Sequence, residues 1–465
     1  MKRIPVLIRK YLSAENIEKL KTFSQHIPLQ SIPLWIASAI TALTAVAYSM
    51  IFTYAENFRI YLSAQHPYLF FIITPASFFL SWYFVYQFSP FASGSGIPQL
   101  MAAVELSDQK KSPAIFSLLN AKIFLVKIIS SITAILGGAV IGREGPTLQL
   151  SGSIFYYTHR WLPERWPKFS RKVMLITGGA AGLSAAFNTP LGGIVFVIEE
   201  LTRTHITTFR TAVFSAVIIA GMTAQLILGP YLYIGYPTIV VEGYQTILWS
   251  GLIGIIIAPI GIFYTSIVYN IMRWRKTVKS FKKQILYSLS FGFAVALFMF
   301  FVGSESCGSG RELFTHLLFT PGAEVNVQTA LSRIVTSIFS YSNGSAGGVF
   351  SPALGTGAGL ASLLAQLFHV STAYHNMLIL AGMCSFLTVV TGSPFTSAII
   401  VLEMTDRHSA IFHLMLAAML SHLTARLMQK ESFYERIKHD FLKLYSADEQ
   451  KAIIPEKPAK TSASA

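Results

Sequence analysis

Long apolar runs alternate with short basic linkers along most of this chain. Four of the runs contain no charged residue, and each is near the roughly 20 residues that a helix needs to cross a bilayer. They are residues 32–54, 69–88, 247–269 and 285–302. Since a helix satisfies its own backbone hydrogen bonds in lipid, the pattern predicts an all-α polytopic membrane protein.

Other apolar runs are short and are interrupted by glycine and proline. They are residues 175–187, 191–198, 349–354 and 387–390. Broken segments are tolerated in a membrane only where they line a cavity or are buried in protein. These runs therefore predict tilted and broken helices of the kind that meet at mid-membrane in secondary transporters.

Composition supports the membrane assignment. Hydrophobic residues make up 53% of the chain and charged residues 12%, whereas a soluble domain carries about 25% charged residues. The net charge of +15 comes mainly from the N-terminal segment, the linkers and the segment after the last run, while residues 56–67 and 229–243 are nearly free of lysine and arginine. The positive-inside rule predicts that both termini are cytoplasmic. The basic excess therefore reflects topology and not nucleic-acid binding.

The chain divides into one large domain with short ends. We predict a cytoplasmic N-terminal segment (residues 1–30) with a short amphipathic helix, a transmembrane domain (31–442) and a polar, disordered cytoplasmic tail (443–465). No cleavable signal peptide is expected. Cys307 and Cys384 form no metal or disulfide pattern, so no metal or cofactor is predicted.

The transmembrane domain contains an internal repeat, with halves at about residues 31–230 and 245–442. Three short stretches recur in the same order. The pairs are 94–96 with 308–310, 142–146 with 347–352, and 186–190 with 390–394. Any one pair could arise by chance from glycine-rich helix joins, but three in register favour a duplication. Duplicated halves with broken helices predict inverted repeats around a central site.

The most informative single residue is Glu144, which lies between apolar runs at 123–141 and 148–156. An ionisable group inside a membrane indicates a functional site unless it is paired. The glycines on either side permit a sharp turn, and Pro146 suits the first turn of a new helix. A helix that begins within the membrane presents free N–H groups to its surroundings, which makes an anion site.

Two further stretches suggest parts of the same site. Residues 94–98 (Gly-Ser-Gly-Ile-Pro) are predicted to end a broken helix, with the Ser95 hydroxyl as a donor. The alternative is a helix kink in which this serine bonds its own backbone. Residues 347–352 start another broken helix, where the amides of Val349 and Phe350 would lack partners. The alternative there is close helix packing through glycine.

Tyr434 and Glu200 have ordinary explanations as well. Tyr434 follows the last apolar run, where tyrosine is commonly an interfacial anchor. Glu200 closes an apolar run and could be a solvated helix end. The residues alone leave both alternatives open.

Taken together, the ordered stretches at 94–98, 142–146 and 348–352 resemble the signature sequences of CLC chloride channels and transporters. The resemblance covers about residues 31–442 and includes residues 190–200 and Tyr434. It implies a homodimer of inverted repeats with one anion path per subunit. It also implies a chloride ion held by the hydroxyls of Ser95 and Tyr434 and by the amides of Val349 and Phe350.

The resemblance assigns further roles residue by residue. Glu144 becomes the gating glutamate, and Glu200 becomes the internal proton-transfer glutamate of family antiporters. The signature stretches add four residues to the predicted anion-binding set: Gly94, Gly96, Arg143 and Gly145. Serine at position 95 is the family's choice for chloride.

Two positions depart from or extend this pattern. A cytoplasmic-side carboxylate of some family exchangers falls at Met101 here, which leaves the inner proton route open. Lys127 matches a buried family lysine that would hold the local potential positive, and its alternative is a snorkelling lysine.

The function expected from these residues is chloride/proton antiport across a prokaryotic inner membrane, without enzymatic activity. The partners would be chloride, protons, lipid and a second copy of the chain. One alternative is a passive chloride channel, which would not need Glu200. Another is an intramembrane hydrolase with Ser95 as nucleophile. That reading lacks a base, because the candidate histidines show no pairing with a serine; they are His316, His369, His375, His413 and His422.

Overall fold

The computed structural model describes residues 14–108, 112–167, 169–202, 210–229 and 232–453. Within these ranges the chain is helical, with no β-strand beyond isolated bridges. The helices of the first half are α1 (Ala14–Gln65), α2 (Phe70–Phe88), α3 (Ile97–Asp108), α4 (Ser112–Leu118), α5 (Ala121–Leu136), α6 (Glu144–Trp161), α7 (Arg171–Phe187), α8 (Pro190–Phe196) and α9 (Arg210–Leu228).

The second half repeats this arrangement of long and broken helices. Its helices are α10 (Tyr244–Thr277), α11 (Phe281–Val302), α12 (Arg311–Phe319), α13 (Val327–Ser342), α14 (Phe350–Leu367), α15 (His375–Thr391), α16 (Pro394–Thr405), α17 (Ile411–Met428) and α18 (Phe433–Ile453). A large apolar core joins both halves and includes buried side chains of α3, α7, α14 and α15.

Eight helical segments in the described part of the chain are long and apolar enough to cross a membrane. All four runs that the sequence predicts as full crossings lie within these segments. The prediction of an all-α polytopic membrane protein is therefore confirmed.

The predicted bounds of two short segments are wrong, because each segment belongs to a longer helix. Residues 349–354 lie in the first turns of α14, an 18-residue helix, and residues 387–390 are the last turns of α15. The glycines of α14 lie within a continuous helix, where the absence of a side chain allows neighbouring segments to pack closely. Gly355 lies against Gly310, and Gly357 lies against the backbone of Gly382.

Backbone torsions support the internal repeat. Gly94 and Gly308 have φ of +68° and +71°, and Gly96 and Gly310 have φ of +102° and +98°. These values lie in the left-handed region that favours glycine. The two Gly-Ser-Gly stretches therefore form the same turn, and each precedes a helix.

The two halves also exchange helix caps. Glu199 lies in a π-helical turn (Val197–Leu201) after α8 and accepts hydrogen bonds from the amides of Phe395 and Thr396, at the start of α16. Glu403, within α16, accepts from the amides of Leu191 and Gly192 at the start of α8. Carboxylates at helix N-termini satisfy free amides and complement the helix dipole.

The ends of the chain differ from the sequence prediction. α1 runs unbroken through the predicted boundary at residue 30, so no separate N-terminal helix exists within residues 14–65. α18 continues to Ile453, since residues 447–453 are mostly good helix formers. The rest of the predicted terminal segments, residues 1–13 and 454–465, lie outside the described residues.

Candidate anion-binding site

The two glycine-containing segments that precede α6 and α14 pair through their backbones. Gly142 and Gly348 exchange backbone hydrogen bonds, with N–O distances of 2.8 and 2.7 Å. Beside them, the amide of Gly94 donates to the carbonyl of Ser345 at 2.8 Å, and Gly347 donates to the carbonyl of Gly94 at 3.1 Å. The structure thus brings together all three stretches that the sequence singled out.

Three helices begin at this junction. They are α3 at Ile97, α6 at Glu144 and α14 at Phe350. Among the hydrogen bonds of the described residues, none uses the amides of Val349 or Phe350. Helix N-termini with free amides favour an anion.

The stretch at 94–98 begins a helix, and the expectation that it ends one is wrong. The preceding helix, α2, has already ended at Phe88. Gly94 and Gly96 adopt positive φ, which does not continue a right-handed helix. Pro98 then occupies the first turn of α3, where its missing N–H costs nothing.

Ser95 is buried at this junction and contacts two tyrosines. Its backbone amide donates to the Tyr341 hydroxyl at 3.0 Å, and its hydroxyl lies 3.4 Å from the Tyr434 hydroxyl. Tyr434 is fully buried in the first turn of α18, so it is not an interfacial anchor. Among the described hydrogen bonds, Ser95 has none with a histidine or a carboxylate, the partners that activate a serine nucleophile.

Gly145 and Gly96 allow the Ser95 turn to lie directly against α6. A Cβ atom at Gly145 would collide with the side chain of Ser95 and would lie 2.9 Å from its carbonyl oxygen. A Cβ at Gly96 would lie 2.9 Å from the carbonyl oxygen of Gly145 and 2.8 Å from Cβ of Gln149. Both positions therefore require glycine for steric reasons.

Glu144 is buried, with 1% of its surface exposed, in the first turn of α6. The Tyr233 hydroxyl donates to its Oε1 at 3.0 Å. Its Oε2 lies so close to Gly142 that a Cβ there would collide with it. The amide of Ser351, in α14, also faces this carboxylate. Glu144 therefore lies across the two helix starts, where a free anion would be attracted.

Tyr233 is held in place by its neighbours. The guanidinium groups of Arg143 and Arg311 lie 5.7 and 5.4 Å from the centre of its ring. Its hydroxyl is also 3.2 Å from the Ser351 hydroxyl. Arg143 itself donates to the carbonyl of Ser49. Arg143, a predicted anion-binding residue, thus packs beside Tyr233 and connects the start of α6 to α1.

Lys127 is fully buried and is not a snorkelling residue. Its ammonium group donates to Oε1 of Gln149 at 2.7 Å. The same Gln149 side chain packs behind Gly96. Lys127 therefore places a buried hydrogen-bond donor behind the Ser95 turn.

Glu200 lies in the π-helical turn after α8 and is half-buried. The Ser393 hydroxyl donates a short hydrogen bond to its Oε1. The carboxylate lines a cavity of about 170 Å³ together with Met101, Glu105, Lys438 and four other residues.

The walls of the Glu200 cavity are rich in charge. Lys438, with 4% of its side chain exposed, pairs with Glu105 at 3.0 Å, and Lys172 pairs with Asp108 at 2.6 Å. Glu105 lies one helical turn beyond Met101 on α3, so both face the same cavity. Glu200 therefore shares its cavity with two ion pairs whose carboxylates are exposed.

The second Gly-Ser-Gly turn is occupied by the protein itself. The amide and hydroxyl of Ser309 both donate to the buried carboxylate of Glu56, at 2.6 and 3.0 Å. The described hydrogen bonds of Ser95, its counterpart in the repeat, go to tyrosine hydroxyls and not to a carboxylate. The duplication therefore leaves one serine turn available to a free anion.

Sequence reasoning missed Tyr233, Tyr341, Ser351 as a neighbour of the gate, and Ser393. Tyr341 lies in a polar run just before Gly344, which is a weak signal. Tyr233 follows α9 in a segment with no local pattern that would mark it.

The fold defines the chain as a polytopic membrane protein. The chain belongs to the family described as voltage gated chloride channel, whose sequence profile matches residues 77–426.

Curated relatives and solved structures agree with this assignment. The H(+)/Cl(-) exchange transporters ClcA of Salmonella newport and Salmonella agona are each 29% identical over 428 residues, covering 86% of this chain and 86% of the relative. The structure of a slow cyanobacterial Cl-/H+ antiporter matches with a TM-score of 0.78 at 20% identity, over 90% of this chain and 99% of that one. A CLC-type fluoride/proton antiporter matches with a TM-score of 0.71 at 18% identity, over 89% and 97% of the two chains. These likenesses confirm the CLC fold.

Proposed function

We propose that this protein exchanges chloride for protons across the membrane. The observation that carries the proposal is the position of Glu144, whose carboxylate lies across the starts of α6 and α14 beside the Ser95 turn. The curated relatives are named H+/Cl- exchange transporters, which supports the same activity. Chloride and protons are the transported ions, and the exchange needs no cofactor.

The proposed coupling follows from competition between two anions. A carboxylate and a chloride ion both suit a site lined by free amides. When Glu144 is ionised it fills the outer part of the path and excludes chloride. Protonation removes its charge, so the side chain leaves and chloride replaces it. Each cycle of protonation and deprotonation of Glu144 then moves a proton in the direction opposite to chloride.

The chloride ion would lie between the Ser95 and Tyr434 hydroxyls and the amides of Val349 and Phe350. Lys127 supports the Ser95 turn from behind, because it donates to the Gln149 side chain that packs against Gly96. All of these residues belong to one chain. The site is therefore complete within a single subunit, which supports one anion path in each subunit of a homodimer.

Glu200 would pass the proton between Glu144 and the cytoplasm. Its cavity supports this role, because two acid–base pairs with exposed carboxylates line it, Lys438–Glu105 and Lys172–Asp108. The loss of a carboxylate at Met101 is compensated in this proposal by Glu105, one turn further along α3. Ser393 fixes the orientation of the Glu200 carboxylate.

We propose that the protein lies in the inner membrane of a prokaryotic cell. Both of its termini would face the cytoplasm. The basic linkers support it, since the positive-inside rule assigns them to the cytoplasmic side. The Glu200 cavity is lined by Lys172, from one of these basic linkers, and by Lys438, from the basic segment after the last run.

A passive chloride channel is the second candidate. Vesicles that contain the purified protein decide between the two. Chloride would be high inside and low outside, with equal pH and a small inside-positive voltage set by potassium and valinomycin. Exchange carries protons inward, against that voltage, and raises the external pH. A passive proton leak would run outward. Chloride efflux without uphill proton uptake would establish the channel.

A further inference from the structure

A cavity of about 230 Å³ lies between α2, α10 and α11. Its lining combines apolar side chains, among them Tyr86 and Met272, with polar ones, among them Ser93, Lys276 and Gln284. Neither the proposed chloride site nor the Glu200 cavity includes any of these residues. The proposed function therefore leaves this cavity unexplained.

The cavity lies at the edge of the membrane-spanning region. α2 ends at Phe88, α10 ends at Thr277, and α11 begins at Phe281. All three helices are long and apolar enough to span a bilayer. Their ends mark the level at which hydrocarbon gives way to lipid headgroups.

Trp82 and Tyr86 contribute aromatic rings to the apolar wall of the cavity, and Phe281 packs beside them. Tyr86 stacks on Trp82 with ring centres 5.0 Å apart, and Phe281 lies 5.4 Å from Tyr86. Tyr86 is 47% exposed and Phe281 is 40% exposed. Amphipathic aromatic residues at this level commonly contact the glycerol region of lipids.

The polar side of the cavity is strongly basic. Six basic residues occur between positions 273 and 283, and the sequence has no acidic residue between Glu242 and Glu305. Arg275 is already committed, because it donates to Gln284, Ser288 and the carbonyl of Ser342. Lys276, by contrast, lines the cavity and is exposed. Its ammonium group is therefore available to an anionic ligand.

We propose that this cavity binds the phosphate headgroup of an anionic phospholipid from the same leaflet. Lys276 contacts the phosphate, and the neighbouring Lys279, Lys282 and Lys283 add to the attraction. Tyr86 and Phe281 contact the glycerol and the first carbons of the acyl chains. A basic site between span ends suits such headgroups. The aromatic wall distinguishes a lipid from a free phosphate ion, which would gain nothing from it.

Native mass spectrometry of the intact protein in detergent tests this proposal. Phosphatidylglycerol and phosphatidylcholine of equal chain length would be added in turn, and the fraction of protein that retains each lipid would be measured. We expect preferential retention of phosphatidylglycerol. Lys276→Gln should weaken it about fivefold, the effect of one lysine near an anionic surface.

Lys430→Gln is the matched control, since Lys430 is an exposed lysine just beyond the end of another span, α17. It should retain phosphatidylglycerol like the unmodified protein. Tyr86→Ala should weaken retention without a change of charge. Equal retention of both lipids, or equal losses in the two lysine variants, would overturn the site. Displacement of the lipid by soluble glycerol phosphate would overturn its assignment to a lipid.

Discussion

Gly142 and Gly348 form a two-residue antiparallel bridge, each donating its amide to the other's carbonyl. They are corresponding residues of the two halves, and each lies just before a helix that starts in the middle of the protein. The bridge ties the two helix starts to each other. It thereby fixes the distance between the Glu144 carboxylate and the amides of the opposite half.

The close approach of Gly145 to Ser95 predicts a steric effect on chloride transport. Gly145→Ala should push the Ser95 turn away from α6 and reduce chloride flux at least tenfold in vesicles. Gly359→Ala is the control, because its added methyl would meet only Leu313 at 3.4 Å. That variant should keep normal flux. Equal flux in both variants would show that the contact does not shape the path.

The serines of the two Gly-Ser-Gly turns should respond differently to the loss of their hydroxyls. Ser95→Ala removes a proposed chloride ligand and should weaken chloride binding about fivefold, as for one hydrogen bond of about 1 kcal/mol. Ser309→Ala removes a hydrogen bond to Glu56 and should lower the melting temperature while chloride binding stays unchanged. Calorimetric titration with chloride measures the first effect. Reduced binding in both variants would contradict the assignment.

Adjacent glutamates on the π-helical turn have separable roles. Glu200→Gln should abolish proton movement and leave chloride flux, because it removes the proposed internal carrier. Glu199→Gln should lower stability by about 1 kcal/mol, since Glu199 caps α16, and should preserve coupling. Proton and chloride fluxes in vesicles, together with melting temperatures in detergent, distinguish these outcomes. Coupling that survives Glu200→Gln would remove Glu200 from the proton route.

The hydrogen bond from Tyr233 should hold the Glu144 carboxylate in its buried position. Tyr233→Phe removes the hydroxyl that donates to Glu144, so the carboxylate should leave its position more easily. Chloride flux at fixed pH should rise about fivefold, the equivalent of about 1 kcal/mol. Tyr269→Phe serves as the control, because it loses only a partly buried hydrogen bond to Asp440. An equal rise in both variants would argue for general loosening.

The sequence predicted the parts of the site that depend on local chemistry. Glu144 between apolar runs, and glycine and proline around it, mark a helix start within the membrane without any knowledge of the fold. The repeat was detectable because both halves need glycine at the same left-handed positions. Long uncharged runs likewise predict spans wherever the local hydrophobicity is high enough.

Other features depend on contacts that no local pattern encodes. Tyr341 reaches Ser95 across 246 positions of the chain, and Tyr233 reaches Glu144 across 89. The glycines of α14 resemble helix breaks in the sequence and serve as packing sites in the structure. Whether glycine ends a helix or admits a neighbour is decided by the surrounding helices.

Proton movement in the Glu144→Gln variant is the most direct test of whether Glu144 couples chloride to protons. Glutamine has nearly the same shape as glutamate but carries no charge and no exchangeable acid proton. In vesicles with a chloride gradient, this variant should pass chloride and show no uphill proton movement, whereas the unmodified protein shows both. A Glu144→Gln variant that still drives protons against the voltage would contradict the proposal that this residue couples the two ions.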